Sequence, residues 1–167
     1  AEVREELPNL LVLLIRNSFA HSLEPRTERL AVGKSEKGMI VISSHQNPSP
    51  PSYSIIYEDD GRGLDLNAIR QRAETSGILS EGMANTATSG ELNQLIFHPH
   101  FSTKEEAGQD AGRGVGLAYL RQYVVETLQG EVSVHSTPGQ FIQFHLSFPE
   151  HVLGQAAAAG AEVPSQS

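Results

Sequence analysis

Two glycine clusters are the residues of this chain best placed to do chemistry. The first, Asp59, Gly61 and Gly63, follows a strand-like run; the second, Gly112, Gly114 and Gly116, opens a helix-like one. Glycine lets the backbone approach a ligand closely, and free N–H groups at a helix start form a phosphate site in physical terms. A buried carboxylate at a strand end can accept a hydrogen bond from an exocyclic amine such as that of adenine. Taken singly, each cluster reads equally as a turn. The second lacks the glycine spacing of a dinucleotide fingerprint, and no Gly-Lys-Ser/Thr follows it. His98 and His100 are two apart, with no third metal ligand at recognisable spacing. Asp59, Asp60 and Asp65 do not fit the positions of a calcium loop. Phe97, Phe101, Phe141, Phe144 and Phe148 read as core or lid packing rather than as a platform for stacking bases.

The elements that must position these residues follow from periodicity and breakers. Leu7 to Leu23 reads as a helix, with Pro8 in its first turn and Leu11, Leu14, Ile15, Ser18 and Phe19 at helical spacing. Asn17 and His21 are four apart and share a face. Met39 to Ser43 and Tyr53 to Glu58 read as an antiparallel hairpin, with a long Pro/Ser-rich loop from His45 to Ser52. Leu66 to Ser76 reads as a helix, Gly77 to Gly90 as a loop, Glu91 to Phe97 as a short helix, and His98 to Ala111 as a mobile loop. Val115 to Leu128 reads as a helix capped by Gly130. Glu131 to Ser136 and Phe141 to Phe148 are strands about the turn at Pro138-Gly139. The expected domain is 1–150, with 151–167, rich in Ala, Gly, Pro and Ser, as a disordered tail or linker.

Composition narrows the class. The chain has 167 residues, 38% hydrophobic and 19% charged, which suits one domain with a single core. The longest aliphatic run, Leu10 to Ile15, is too short to span a bilayer. The start, Ala1 to Glu6, is charged on both sides and has no secretory pattern. It lacks an initiator Met, so the expectation is a fragment of a longer protein. Cysteine is absent, which removes disulfide and thiolate chemistry. A net charge of −8 opposes uniform binding to nucleic acid or anionic lipid, so an anionic ligand must be held by local donors.

The order of the motifs is more informative than any one of them. Leu14-Ile15-Arg16-Asn17-Ser18 with His21 and Glu24 comes first, then Glu28 to Lys34, then Asp59-Asp60-Gly61-Arg62-Gly63-Leu64-Asp65. Ile96-Phe97-His98-Pro99-His100-Phe101-Ser102-Thr103, Gly112 to Leu117, and Ser136-Thr137-Pro138-Gly139 complete the set. Over Leu7 to Pro149 this resembles the GHKL ATPases, and within them the ATP-binding catalytic domain of chemotaxis-type (CheA-like) histidine kinases. The resemblance implies an α/β two-layer sandwich, with a mixed, mainly antiparallel sheet and helices on one face, the Bergerat fold. It implies ATP and Mg²⁺ as cofactors, with Asn17 as the magnesium ligand. Asp59 resembles the adenine-reading carboxylate, and Gly61 and Gly63 would let the base lie against the backbone. Phe97 to Thr103, including Phe101, Ser102 and Thr103, resembles the start of an ATP lid. Gly112, Arg113, Gly114, Val115, Gly116 and Leu117 resemble the second glycine box, with N–H groups on the phosphates. Lys104, Arg113 and Lys34 are candidate phosphate partners, and His21 resembles a histidine near the phosphates, the candidate catalytic residue.

The resemblance also implies the reaction and its partners. The γ-phosphoryl would pass to a histidine on a separate phosphotransfer domain, within a cytoplasmic parent kinase bearing dimerisation and regulatory domains. A response regulator would act downstream, with no nucleic acid and no direct membrane insertion. None of the seven histidines sits in an acceptor-helix pattern. The departures bear on mechanism. Relatives carry a histidine where this chain has Leu13, whose loss as a general base would forfeit about 10²–10⁴-fold in rate. Ala20, Ser22, His100, Ala118 and Phe141-Ile142 also depart. A second expectation is therefore a degenerate module, binding nucleotide weakly or not at all and acting as a scaffold in a signalling complex. The ATP-gated clamps of the gyrase type fit less well, since they need a longer chain and a glutamate base in the first helix.

Overall fold

The computed structural model describes residues 3–99, 101 and 116–153, with side chains from residue 6. Four strands, β1 (Ile40–Pro48), β2 (Pro51–Asp59), β3 (Glu131–Thr137) and β4 (Phe141–Pro149), form one sheet in the order β1-β2-β4-β3. Every described pair is antiparallel. Around the sheet lie α1 (Val3–Asn17), α2 (Arg26–Ala31), α3 (Leu66–Thr75), α4 (Glu81–Thr86), α5 (Ser89–Gln94) and α6 (Leu117–Gln122).

Register decides which face is buried, because side chains alternate along a strand. Tyr53, Ile55, Tyr57 and Asp59 of β2 stand opposite Phe148, Leu146, Phe144 and Ile142 of β4. Val132 and Val134 of β3 extend the same row. Leu10 and Leu14 of α1, Ile69 of α3, Leu92 of α5 and Leu120 of α6 pack with these residues into a single core. Phe144 lies at its centre, edge-on to Phe97 at 6.1 Å and to Tyr57 at 6.3 Å. The opposite face is polar, with Glu58 accepting a hydrogen bond from Gln143 at 2.7 Å. The expected two-layer architecture, with helices on one side of the sheet, is what the chain forms.

Several local expectations need correcting. The first helix begins earlier than Leu7, so Pro8 lies inside it rather than in its first turn. Its end is a π-helical turn, Ser18–Ser22, which turns Ser18 and Ser22 inward and leaves Phe19 70% exposed. The long hairpin loop is mostly strand: β1 and β2 pair as far as Pro48 and Pro51, leaving a two-residue tip. Polar residues on both faces of an edge strand that outruns the core hid that pairing. Within the supposed loop Gly77 to Gly90, α4 forms behind the N-cap Ser80, and α5 starts at a capping box between Thr88 and Glu91. The last helix is α6 continued by a second π turn, Tyr123–Thr127. Gln129, not Gly130, takes the left-handed position after it, with φ 51°, while the Gly130 N–H bonds Val124 O at 2.9 Å. Residues 150–153 are helical, and Val152 belongs to the core.

The left-handed backbone of a side-chain-bearing residue such as Gln129 costs on the order of 1 kcal/mol. Gln129→Gly is therefore expected to stabilise the fold by at most about 0.5 kcal/mol in urea denaturation, after allowing for the extra freedom of the unfolded chain. Leu146→Ala, at a fully buried position, is expected to cost about 2–5 kcal/mol.

Candidate functional site

At the inner end of β2, Asp59 is 1% exposed. A carboxylate buried this deeply needs donors, and the end of the first helix supplies them. Ser18 Oγ donates to Oδ2 at 2.5 Å, and Ser22 Oγ donates to Oδ1 at 2.6 Å. The Gly61 N–H adds a bond to Oδ1 at 3.0 Å. Behind Ser18, 2.6 Å away, stands the hydroxyl of the fully buried Tyr57. Burial pushes the Tyr57 phenol up, and the charge of Asp59 adds to it.

The loop after Asp59 is held from two sides. A Cβ on Gly61 would lie 2.3 Å from Ser22 Oγ and 2.4 Å from Ser22 O, so the helix end itself demands a glycine there. Arg62 N–H bonds Ser22 O at 2.8 Å. On the far side, Gly63, with φ 67°, backs onto Thr137 O, and Leu64 N–H donates to Ser136 Oγ at 2.8 Å. The space a Cβ would fill at either glycine is thus taken by protein.

A network of four charges braces the same loop. Arg29, 1% exposed, pairs with Glu24 at 3.0 Å and with Asp60 at 2.7 Å, and donates to Ser35 O at 2.8 Å. Lys34 Nζ donates to Glu24 at 2.7 Å, Asp60 O at 2.9 Å and Gly61 O at 2.7 Å. An ammonium has three protons, and here all three of Lys34's are donated to Glu24 and to the loop carbonyls. Burial would raise the Glu24 carboxyl, but the Lys34 bond, its own backbone N–H and the charges of Lys34 and Arg29 bring it below its ordinary value. Burial opposes the same outcome at Asp60, where the Met39 N–H, the Arg29 bond and both cations prevail.

The remaining expected site residues fall around this centre. Asn17 ends α1, half-buried and next to Ser18; His21 is exposed on the π turn beside Ser22. Phe97 is buried, and Phe101 packs against the core with the Arg72 guanidinium 5.3 Å from its ring centre. Gly116 precedes α6, and Leu117 packs against the core. α6 itself lies against the 3-10 turn Leu95–Phe97, so the two ends of the intervening segment are neighbours. Ser102, Thr103, Lys104, Gly112, Arg113, Gly114 and Val115 lie outside the described residues. The helix end that carries Asn17 and His21 thus also supplies Ser18 and Ser22 to Asp59 and backs Gly61, while Gly63 is held from the β3–β4 end. The donors Ser18, Ser22 and Tyr57, and the brace through Arg29, were not read from sequence as parts of the site. Their one local signal was the four-residue spacing of Ser18 and Ser22.

Residues 4–151 match the family model described as histidine kinase-, DNA gyrase B-, and HSP90-like ATPase. The chain belongs to this ATPase family. A chemotaxis protein CheA of Bacillus subtilis is 37% identical over 88% of the chain, which covers 21% of that relative. A chemotaxis protein CheA of Halobacterium salinarum is 33% identical over 86% of the chain, again 21% of the relative. The sensor histidine kinase CheAY of Helicobacter pylori is 34% identical over 81% of the chain and 16% of its own length. The chain therefore spans about a fifth of these curated relatives. Among the described residues, no helix of this ATPase family member is long and apolar enough to cross a membrane.

Removing one partner from a buried ion network strands the others. Arg29→Met is expected to destabilise the fold by about 3 kcal/mol in urea denaturation. Because Glu24 and Asp60 are depressed, the stability they confer is whole above their unfolded values, about pH 4, and is lost as pH falls through their folded ones. A pH series of melting temperatures is expected to fall below about pH 4 in the wild type, and less steeply in Arg29→Met.

Proposed function

We propose that the chain binds Mg-ATP and transfers the γ-phosphoryl group to a histidine on a separate phosphotransfer domain. The observation that carries the reading is Asp59. It is a buried carboxylate with three donors among the described residues, which leave acceptor capacity on Oδ2, and this suits an exocyclic amine of adenine. Family membership and the names of the relatives support the same reading.

In this proposal the Gly112–Gly116 box and the lid from Phe97 to Thr103 enclose the phosphates, and His21 stands near them. Among the described residues no set of three or more His, Asp or Glu is placed to hold a metal by itself. That suits Mg²⁺ held by the Asn17 side-chain oxygen together with phosphate oxygens and water. When bound, the ion would neutralise charge on the transferring phosphoryl; the chain's own task is positioning rather than covalent chemistry. The acceptor, dimerisation and regulatory domains of a parent kinase, and a response regulator beyond it, complete the proposal, in a cytoplasmic setting.

One observation favours the alternative of a degenerate module. Leu13, where the resemblance places a histidine, is packed against the core and carries no titratable group. Calorimetric titration with Mg-ADP separates the readings. Binding in the micromolar to low-millimolar range, about −8 to −4 kcal/mol, abolished by Asp59→Asn, is the expected result. No heat of binding, checked by a second method, would favour the scaffold. Given binding, transfer of radiolabelled phosphate to an added phosphotransfer domain is expected, with a several-fold gain from Leu13→His.

A further inference from the structure

The proton inventory around Asp59 points to residues that would set the selectivity of the proposed nucleotide site. A carboxylate offers about four lone-pair positions, two on each oxygen. Ser22 Oγ and Gly61 N–H fill both positions on Oδ1, and Ser18 Oγ fills one on Oδ2. Among the described residues, one acceptor position remains, on Oδ2. A serine hydroxyl has a single proton, and both serines have given theirs to Asp59. Tyr57 OH, 2.6 Å from Ser18 Oγ, must then donate into Ser18. Every proton in the cluster points toward the carboxylate, and neither serine keeps one for a ligand.

We propose that Ser18 and Ser22, with Tyr57 behind Ser18, are specificity-determining residues that make this site accept an amine and refuse a carbonyl. The inference rests on the nucleotide reading above and adds the residues that enforce it. A water in place of either serine would satisfy Asp59 with one proton and keep a second to offer a carbonyl oxygen. The serines exclude that option. A 6-aminopurine meets the vacant Oδ2 position with an N–H, whereas a 6-oxopurine brings lone pairs against lone pairs and finds no donor.

The test is the ratio of affinities for Mg-ADP and Mg-IDP, measured by calorimetry on the wild type, Ser22→Ala and the double variant Ser18→Ala/Tyr57→Phe. Ser22→Ala removes one buried oxygen. The double variant avoids leaving the Tyr57 hydroxyl without its acceptor. The wild type is expected to prefer ADP by about 10- to 100-fold, the worth of a hydrogen bond to a charged group. Each variant is expected to shrink that ratio by about 5- to 10-fold, chiefly through tighter IDP binding as water enters. A purely structural role would weaken both ligands alike; an unchanged ratio in both variants, with wild-type ADP binding intact, overturns the inference and leaves the nucleotide reading standing. A wild type that binds neither nucleotide overturns the nucleotide reading itself, and this inference with it.

Discussion

A carboxylate with almost no access to water constrains the rest of this structure. Asp59 ends a central strand, and its charge is tolerable only where donors converge on it. Two come from the end of the first helix and one from the backbone two residues on. The π turn Ser18–Ser22, an energetically poor geometry that tends to occur at functional positions, brings both hydroxyls to one carboxyl group. The same turn accounts for the exposed Phe19 beside two buried serines.

The second constraint is the loop that follows. Asp60-Gly61-Arg62-Gly63 leaves the sheet, yet its backbone groups are engaged. Lys34 takes Asp60 O and Gly61 O, Ser22 O takes the Arg62 N–H, and Arg62 O takes the Gly139 N–H. Arg29 and Lys34, with Glu24 between them, thus hold the backbone of this loop. That explains how three charged residues beside the Asp59 loop are already committed.

Much of the fold and the centre of the site could be read from single-chain patterns. The Asp-x-Gly-x-Gly turn after a strand and the alternation in β4 are local signals, and local physics shapes them. What escaped was non-local or ambiguous. The pairing of Ser18 with Asp59 joins residues 41 apart, and nothing in either neighbourhood announces it. The polar end of β1 looks like a loop because neither face meets the core there. Gln129 occupies a backbone position that glycine would fill more easily, so the adjacent Gly130 misled. The capping box of Thr88 and Glu91 was legible in principle, but two neighbouring glycines and a short element obscured it.

The span of the Asp59 contacts also bears on how the molecule opens. Residues from a helix end, a strand end and a loop meet at one charge, so loosening any of them leaves that charge short of donors before water can replace them. The first helix and the second strand are therefore coupled as one cooperative unit, and fraying at the helix end is resisted by chemistry deep inside the sheet. In an amide hydrogen-exchange experiment, segments so coupled would exchange together, although they lie on opposite layers of the sandwich.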